Sequence, residues 1–302
     1  MPSYEYHTVD VFTEQRFGGN PLAVFPRASG LSDAQMQSLA REINYSETTF
    51  VLPPADPTHT ARVRIFAPAR EMPFAGHPNV GTAFVLARLE PRLTGKIVFE
   101  EIAGLVTIDV LKGPDGQVMG ATIAAPQPLN LGDSIPAEVV AGCAGLAPSE
   151  ISVGIHVPVF AGVGMGFVIA EVASREALGR ASPVLAAFHE AANRFPGTGN
   201  RFQVHLYVRD RSDPGRLHTR MFAPLAGVGE DPATGSANAT LAALLVHYTQ
   251  SGPGTLAFDI SQGVEMGRPS RLLATATKAA DGSVRATVSG SCVPVMRGQA
   301  EV

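Results

Sequence analysis

Two stretches of the chain are apolar on nearly every side when they are drawn as helices. The first runs from Val80 to Leu89 and the second from Ala237 to Tyr248. A helix without a polar face has to be buried, so both are predicted to lie inside the fold. A third helix has one apolar face: Ser32 and Gln35 form a capping-box signature, and apolar residues recur at helical spacing until about Asn44.

Between the helices, the apolar positions follow the period of strands. Residues Ala61–Phe66 alternate Val and Ile with Arg, which is typical of a half-buried strand. The Gly162–Gly166 run is followed by a strand-like segment and is interpreted as a turn rather than as a dinucleotide loop. Further strands are predicted at 4–12, 22–25, 48–52 and 203–208, and strand-like runs joined by Asp-Gly turns at 97–126 and 256–294.

A nine-residue motif occurs twice, at Glu71–Asn79 and at Glu230–Asn238. Its Pro, Gly and Asn positions are each 159 residues apart, and a Phe-Ala-Pro precedes both copies. So long a period indicates two similar domains rather than a solenoid. We predict an α+β fold of two similar pseudo-symmetric domains, each a mixed sheet wrapped around a central helix. The boundaries are 1–125 and 136–302, with a proline-rich linker at about 126–136 and a last strand that is a candidate to cross back to the first domain.

Composition narrows the class of protein. The chain has 302 residues, of which 45% are hydrophobic and 17% charged, with a formal net charge of -4 and no basic cluster. No nucleic-acid or membrane partner is therefore expected. The sequence shows no signal-peptide pattern and no apolar run of membrane-spanning length, so a cytoplasmic location is expected. Cys143 and Cys292 are too few for a disulfide framework.

The chemistry of the repeated motif suggests an anion site. Helix N-termini bind carboxylates through backbone N–H groups, and Gly76 and Gly235 lie at the predicted helix starts. Side chains beside these turns could add hydrogen bonds, and a carboxylate where helix gives way to strand could serve as a general acid/base. These candidates are His77, Asp231, Ser236, Asn20 and Glu47.

Each candidate also has a plain structural interpretation. Gly and Pro at a helix start are usually capping geometry, and Ser236 is a natural N-cap. Glu47 on its own would be a solvated carboxylate, and Asn20 could have only a structural role in its turn. No Walker loop, nucleophile elbow or His-Glu-x-x-His is present, so the sequence supports neither a metal nor a nucleotide cofactor.

An ordered set of motifs runs along the chain. Its segments are 10–13, 18–25, 44–48, 74–78, 230–237 and 262–270 with a three-residue gap after Gly263. With these motifs the chain resembles the phenazine-biosynthesis PhzF-like family, and the resemblance spans nearly the whole chain. It implies a diaminopimelate-epimerase-like fold with the active site between two domains, no cofactor and commonly a homodimer.

The resemblance also implies roles for the candidates. In the founding isomerase of the family, the carboxylate that matches Glu47 moves a proton on a dihydro-hydroxyanthranilic acid ring, assisted by the residues that match His77 and Asp231. The positions that match Gly76, Gly235 and Ser236 help to hold the substrate, and Asn20 is a further candidate for binding it. Racemases of this fold use two cysteines, and neither copy of the motif here contains one.

Two hypotheses of different classes remain open at this point. The first is a cofactor-independent isomerase that moves a proton on a small carboxylic acid, with Glu47 as the general acid/base. The second is a non-catalytic protein of the same fold that binds a small acid or regulates. The presence of Glu47 together with His77 and Asp231 favours the isomerase. The substrate itself is not specified by the sequence.

Overall fold

The computed structural model describes residues 2–198 and 202–302. The chain divides into two compact units, one formed by Met1–Ala124 with Ser289–Val302 and the other by Ala125–Val288. Each unit is built from strands in mixed parallel and antiparallel pairing, with few helices. We describe the first unit and then the second.

Between residues 2 and 124, the first unit combines eight strands with two helices. Its helices are α1 (Asp33–Ile43) and α2 (Gly76–Leu89). Its strands are β1 (Ser3–Val11), β2 (Asn20–Phe25), β3 (Glu47–Leu52), β4 (Ala61–Ala67), β5 (Arg70–Met72), β6 (Lys96–Glu101), β7 (Gly104–Lys112) and β8 (Val118–Ala124).

Strand pairing in the first unit starts from the β2–β3 pair, which is parallel. Strand β3 pairs antiparallel with β4, β4 parallel with β6, β6 antiparallel with β7 and β7 antiparallel with β8. Strand β1 lies antiparallel to β2. Helix α1 covers one face of these strands, where Met36 and Ala40 pack with Phe25, Phe50 and Phe66. The capping box at Ser32 and the end of the helix at Asn44 are confirmed.

Helix α2 forms the interior of the first unit. Every residue from His77 to Ala87 is buried, and the helix packs against β1, β2, β3, β7 and β8. Small residues allow this contact: a Cβ at Gly81 would lie 2.6 Å from Leu22 Cδ2 and 2.8 Å from Val11 Cγ2. Burial of each large apolar side chain here contributes roughly 1.5–3 kcal/mol to stability. The segment is apolar on nearly every side because it contacts strands on several sides.

Among its described residues, the second unit contains four α-helices. They are α3 (Ala137–Ala144), α4 (Arg175–Arg180), α5 (Leu185–Arg194) and α6 (Gly235–Thr249). Its strands are β9 (Asn130–Ser134), β10 (Ile151–Ser152), β11 (Val159–Gly162), β12 (Gly166–Val172), β13 (Val204–Arg209), β14 (Arg216–Ala223), β15 (Val228–Asp231), β16 (Gly254–Gln262) and β17 (Ser270–Lys278). The last strand, β18 (Val284–Glu301), begins in this unit and ends in the first, where it pairs antiparallel with β1.

The order of strand pairing in the second unit repeats that of the first. Strands β12 and β13 are parallel, β13 and β14 antiparallel, β14 and β16 parallel, and β16 and β17 antiparallel. Helix α6 is buried along most of its length and packs against β11, β12, β16 and β17. The turn predicted at Gly162–Gly166 is confirmed, because it joins β11 to β12 as an antiparallel hairpin.

Two local details differ from the sequence prediction. The N-cap of α6 is Thr234 rather than Ser236. The loop before this helix is held by Gln262 of β16, a contact from a distant strand that the local sequence pattern does not report. The segment expected to be a linker, 126–136, includes β9, which pairs antiparallel with β11.

Candidate active site

In the first unit, the structure brings Glu47 and His77 together. Glu47 is the first residue of β3, directly across from Leu22 of β2. It reaches this position because α1 ends at Asn44 in the left-handed conformation, with φ 56°, which reverses the chain into the strand. Its side chain is only 18% exposed, and Glu47 Oε2 lies 3.7 Å from His77 Nε2. Glu47 is therefore a shielded carboxylate and not a solvated surface group.

His77 is the second residue of α2, and its protonation follows from burial. Burial lowers the pKa of His77 to about 3, while a hydrogen bond to the backbone carbonyl of Pro21 acts in the opposite direction. Nε2 has no hydrogen-bond partner among the described residues, so Nδ1 is the nitrogen that donates to Pro21. The ring is thus neutral at pH 7, and the lone pair of Nε2 faces the carboxyl group of Glu47.

The contact between Glu47 and His77 is not an ordinary salt bridge, because the ring of His77 is neutral. A neutral imidazole with its lone pair toward a carboxylate does not stabilise the ionised form as an imidazolium would. Nε2 can act only as a hydrogen-bond acceptor toward the carboxyl group.

Other predicted residues of the first unit lie around this pair. Asn20 begins β2 and is fully buried, and its Oδ1 accepts a hydrogen bond from the Ser46 hydroxyl at 3.3 Å. Gly76 is the first residue of α2, whose N-cap, Ala75, has no side-chain cap. The early N–H groups of such a helix have no intrahelical acceptor and can bind an anion.

In the second unit, Asp231, Gly235 and Ser236 lie together at the start of α6. Asp231 is buried at the end of β15, and its Oδ2 accepts a hydrogen bond from the Thr234 hydroxyl at 2.5 Å. Gly235 is the first residue of the helix and is buried, and Ser236 follows it in the first turn. Asp231 therefore has a fixed orientation next to a helix N-terminus.

Gln262 fastens this loop and was not assigned a role in the sequence analysis. Its Nε2 donates to the carbonyl of Asp231 at 2.7 Å and to the Thr234 hydroxyl at 3.0 Å. Its Oε1 accepts from the Thr234 N–H at 3.1 Å and from Asn238 Nδ2 at 2.7 Å. The repeated Asn79 and Asn238 were a signal for such a role, because neither belongs to the apolar pattern of its helix.

The register of the strands identifies the residue of the second unit that corresponds to Glu47 in the repeat. Thr48 pairs with Phe66 and Val204 pairs with Phe222, and both phenylalanines begin the repeated Phe-Ala-Pro. The residue that corresponds to Glu47 is thus Gln203, which cannot exchange a proton at neutral pH. Of the two copies, the first has the ionisable side chain at this position.

Comparison with known proteins agrees with this fold. The family model for phenazine biosynthesis-like proteins matches residues 9–298. A relative from Mesorhizobium japonicum, named as an uncharacterized isomerase, is 39% identical over 302 residues, with 99% of each chain covered. The trans-2,3-dihydro-3-hydroxyanthranilate isomerase of Pseudomonas chlororaphis is 36% identical over 296 residues, with 98% of each covered. A crystal structure of a PhzF-family protein from Bacillus anthracis superposes with a TM-score of 0.88 at 24% identity, covering 100% of both chains, which shows the shared fold.

The fold and the full-length isomerase relatives define the protein as an isomerase. It belongs to the phenazine biosynthesis-like, or PhzC-PhzF, family. None of the helices within the described ranges has the length and apolar character needed to cross a membrane.

Proposed function

We propose that the enzyme moves a proton between two carbons of a small carboxylic acid, with Glu47 as the general acid/base and without a cofactor. The observation that carries this proposal is the shielded Glu47 carboxylate, 3.7 Å from the unprotonated Nε2 of His77. Glu47 takes a proton from one carbon, holds it with help from His77 and returns it to another. His77 remains neutral throughout, as an acceptor for the protonated acid.

The remaining candidates bind the substrate in this proposal. The first-turn N–H groups of α2 and α6, at Gly76 and at Gly235 and Ser236, hold carboxylate oxygens through backbone donors and the helix dipole. Asp231, oriented by Thr234, accepts a hydrogen bond from a substrate donor such as an amine or hydroxyl. Asn20 is a further polar group for orientation. We also propose that the enzyme acts as a homodimer, which light scattering of the purified protein tests.

The substrate proposed for the first assay is trans-2,3-dihydro-3-hydroxyanthranilate, which names the reaction of the Pseudomonas chlororaphis relative. This compound carries both a carboxylate and polar substituents on a partly unsaturated ring, which suits the groups described above. If it is not turned over, the same assay extends to other small unsaturated and amino acids. The reaction class is tested separately from the identity of the acid.

The decisive experiment is Glu47→Gln, which keeps the volume of the side chain but cannot exchange a proton at neutral pH. We expect turnover to fall by about 10²–10⁴-fold while the melting temperature and the affinity for the acid stay close to those of the wild type. Glu42→Gln is the matched control, because Glu42 is exposed in the last turn of α1. A near wild-type rate in Glu47→Gln would remove Glu47 from the mechanism.

The same assay, run in D₂O after prolonged chelator treatment and without added nucleotide, tests the rest of the proposal. A single carboxylate that carries the proton predicts at most one deuterium at the new C–H position. Some substrate-derived proton is expected in the product at low conversion, because the shielded carboxyl exchanges slowly with solvent. Product formed without any movement of a C–H proton contradicts the isomerase mechanism, and activity restored only by a metal contradicts the cofactor-free one.

A further inference from the structure

The first unit contains a buried carboxyl group that the proposed reaction does not use. Glu101 is the last residue of β6, and both of its carboxyl oxygens are buried without a hydrogen bond of good geometry in the described part of the chain. Its polar neighbour is the side chain of Asn79 in the first turns of α2. An ionised carboxylate without donors would be costly at such a position, since burial disfavours the charged form.

The side chain of Asn79 lacks a hydrogen-bond donor for its oxygen. Its Nδ2 donates to the carbonyl of Ala75, the N-cap of α2, at 3.0 Å. Its Oδ1, however, is buried and finds no donor within residues 2–198 and 202–302. Asn79 therefore lacks a donor, while Glu101 has two oxygens that lack partners.

The second unit shows which hydrogen bonds the Asn at this position of the repeat makes. Asn238, the repeat of Asn79, donates to the carbonyl of Thr234 in the same way and also to Gln262 Oε1. Its Oδ1 is satisfied by His205 Nε2 at 3.1 Å. In the register of the first unit the place of His205 is taken by Thr49, whose hydroxyl pairs with Thr82 at 2.8 Å. The donor for Asn79 Oδ1 must therefore come from elsewhere.

We propose that Glu101 is a neutral carboxylic acid in the folded enzyme and pairs with the Asn79 amide through two hydrogen bonds, as a positioning residue for the start of α2. The Glu101 hydroxyl donates to Asn79 Oδ1, and the Glu101 carbonyl oxygen accepts from the second N–H of Asn79 Nδ2. All of the unpartnered atoms of the two side chains are satisfied by this pairing. Through the bond from Asn79 to Ala75, Glu101 then fixes the turn that carries Gly76 and His77.

Burial dominates the ionisation of Glu101, and two charged groups near it are held by other partners. Burial raises the pKa of Glu101 to about 8, with the Asn79 amide acting less strongly in the opposite direction. Arg64 of β4 is paired with Glu71 of β5 and with Asp33 of α1. Glu100 accepts hydrogen bonds from His59 and from two backbone N–H groups, which lower its pKa to about 2. A cavity of about 500 Å³ is lined by Glu101 together with Asp33, Arg62, Val63, Arg64, Glu71, Glu100 and Ile102.

The direct test is carbon NMR of the enzyme labelled at the side-chain carboxyl of glutamate, with the signal assigned by its loss in Glu101→Gln. We expect the Glu101 carboxyl to titrate with a midpoint near 8 and the adjacent Glu100 near 2. A midpoint for Glu101 in the usual range, at roughly 4–5, overturns the proposal. This measurement uses the protein alone, so it is independent of the proposed function and of its substrate.

The positioning role has its own readouts. In the wild type, the amide signal of Gly76 should shift with the same midpoint as Glu101, and in Glu101→Gln it should not shift in that range. The Gln amide keeps both a donor and an acceptor, so Glu101→Gln should match the wild type at pH 4, where the contribution of the neutral acid is complete. Glu101→Met, of similar length, should melt at a lower temperature at that pH. A Gly76 signal that ignores the titration, or equal melting of the Met and Gln variants, overturns the positioning role.

The pH dependence of stability has a definite sign. The folded pKa lies above the ordinary value of 4.5, so the neutral acid's contribution is complete below about 4.5 and is lost as the pH rises to about 8. The melting temperature of Glu101→Gln should therefore rise relative to that of the wild type across this interval and then stay at a constant difference. A difference that does not vary between pH 5 and pH 8 contradicts the proposal.

Discussion

Replacement of Gln262 by Leu should destabilise the second unit more than any exposed substitution in the same sheet. Gln262 is fully buried at the end of β16, and its side chain takes part in five hydrogen bonds with described residues, two of which reach backbone groups of the loop before α6. Leu fills a similar volume but leaves the Asp231 carbonyl and the Thr234 N–H without partners. The perturbation thus removes the fastening of the loop while keeping the packing.

The size of the effect follows from these contacts. A buried backbone group without a partner costs roughly 1–3 kcal/mol, so the two groups together cost about 2–6 kcal/mol. The additional apolar surface of Leu offsets about 1–2 kcal/mol of this. We therefore expect a loss of about 1–4 kcal/mol in the free energy of unfolding, which lowers the melting temperature by about 2–6 °C in a protein of this size.

Urea denaturation followed by circular dichroism, with calorimetry alongside, measures this loss. The control is Arg271→Ala on the neighbouring strand, where Arg271 and Asp259 form an exposed ion pair at 2.8 Å. Such pairs contribute at most about 1 kcal/mol. If Gln262→Leu is no more destabilising than Arg271→Ala, the hydrogen bonds of Gln262 do not hold the loop and the reasoning fails.

Two further predictions concern the start of α6 and the cysteines. Gly235→Val should weaken binding of the substrate acid more than it lowers the melting temperature, because a side chain enters the space beside the first-turn N–H groups. Calorimetric titration measures the affinity, and a melting curve measures the stability. Unchanged affinity in a folded variant would show that this helix start has only a structural role. Cys143 and Cys292 are buried, and burial raises the pKa of the Cys143 thiol to about 12 and that of Cys292 still further. We expect neither to react with iodoacetamide at neutral pH until urea is added; rapid labelling of the native enzyme, seen by mass spectrometry, would contradict this.

Local patterns in the sequence were sufficient to predict much of the secondary structure. The capping box at Ser32 and the end of α1 at Asn44 depend on residues within one turn of each other, so the sequence contains the whole signal. The apolar segments that became α2 and α6 were also evident, because residues on every face of these helices meet strands. The repeated motif identified the two helix starts, and the order of strand pairing that recurs in the two units is consistent with it.

The family resemblance named Glu47, His77 and Asp231, but only the tertiary structure determined their chemical states. The neutral ring of His77 and the direction of its Nε2 depend on burial and on the Pro21 carbonyl, which is brought to it by β2. Likewise, Asp231 is oriented by Thr234, which in turn is held by Gln262 from β16.

The same distinction explains why Glu101 escaped the sequence analysis. In the sequence, Glu100 and Glu101 are two adjacent acidic residues, and nothing in their local pattern separates them. In the fold, strand alternation turns them to opposite faces of β6, so that one meets backbone N–H groups and a His while the other meets the buried amide of Asn79. Their pKa values consequently move in opposite directions, because the proton affinity of a carboxyl depends on burial and on the donors that the fold brings to it, and these come from distant parts of the chain.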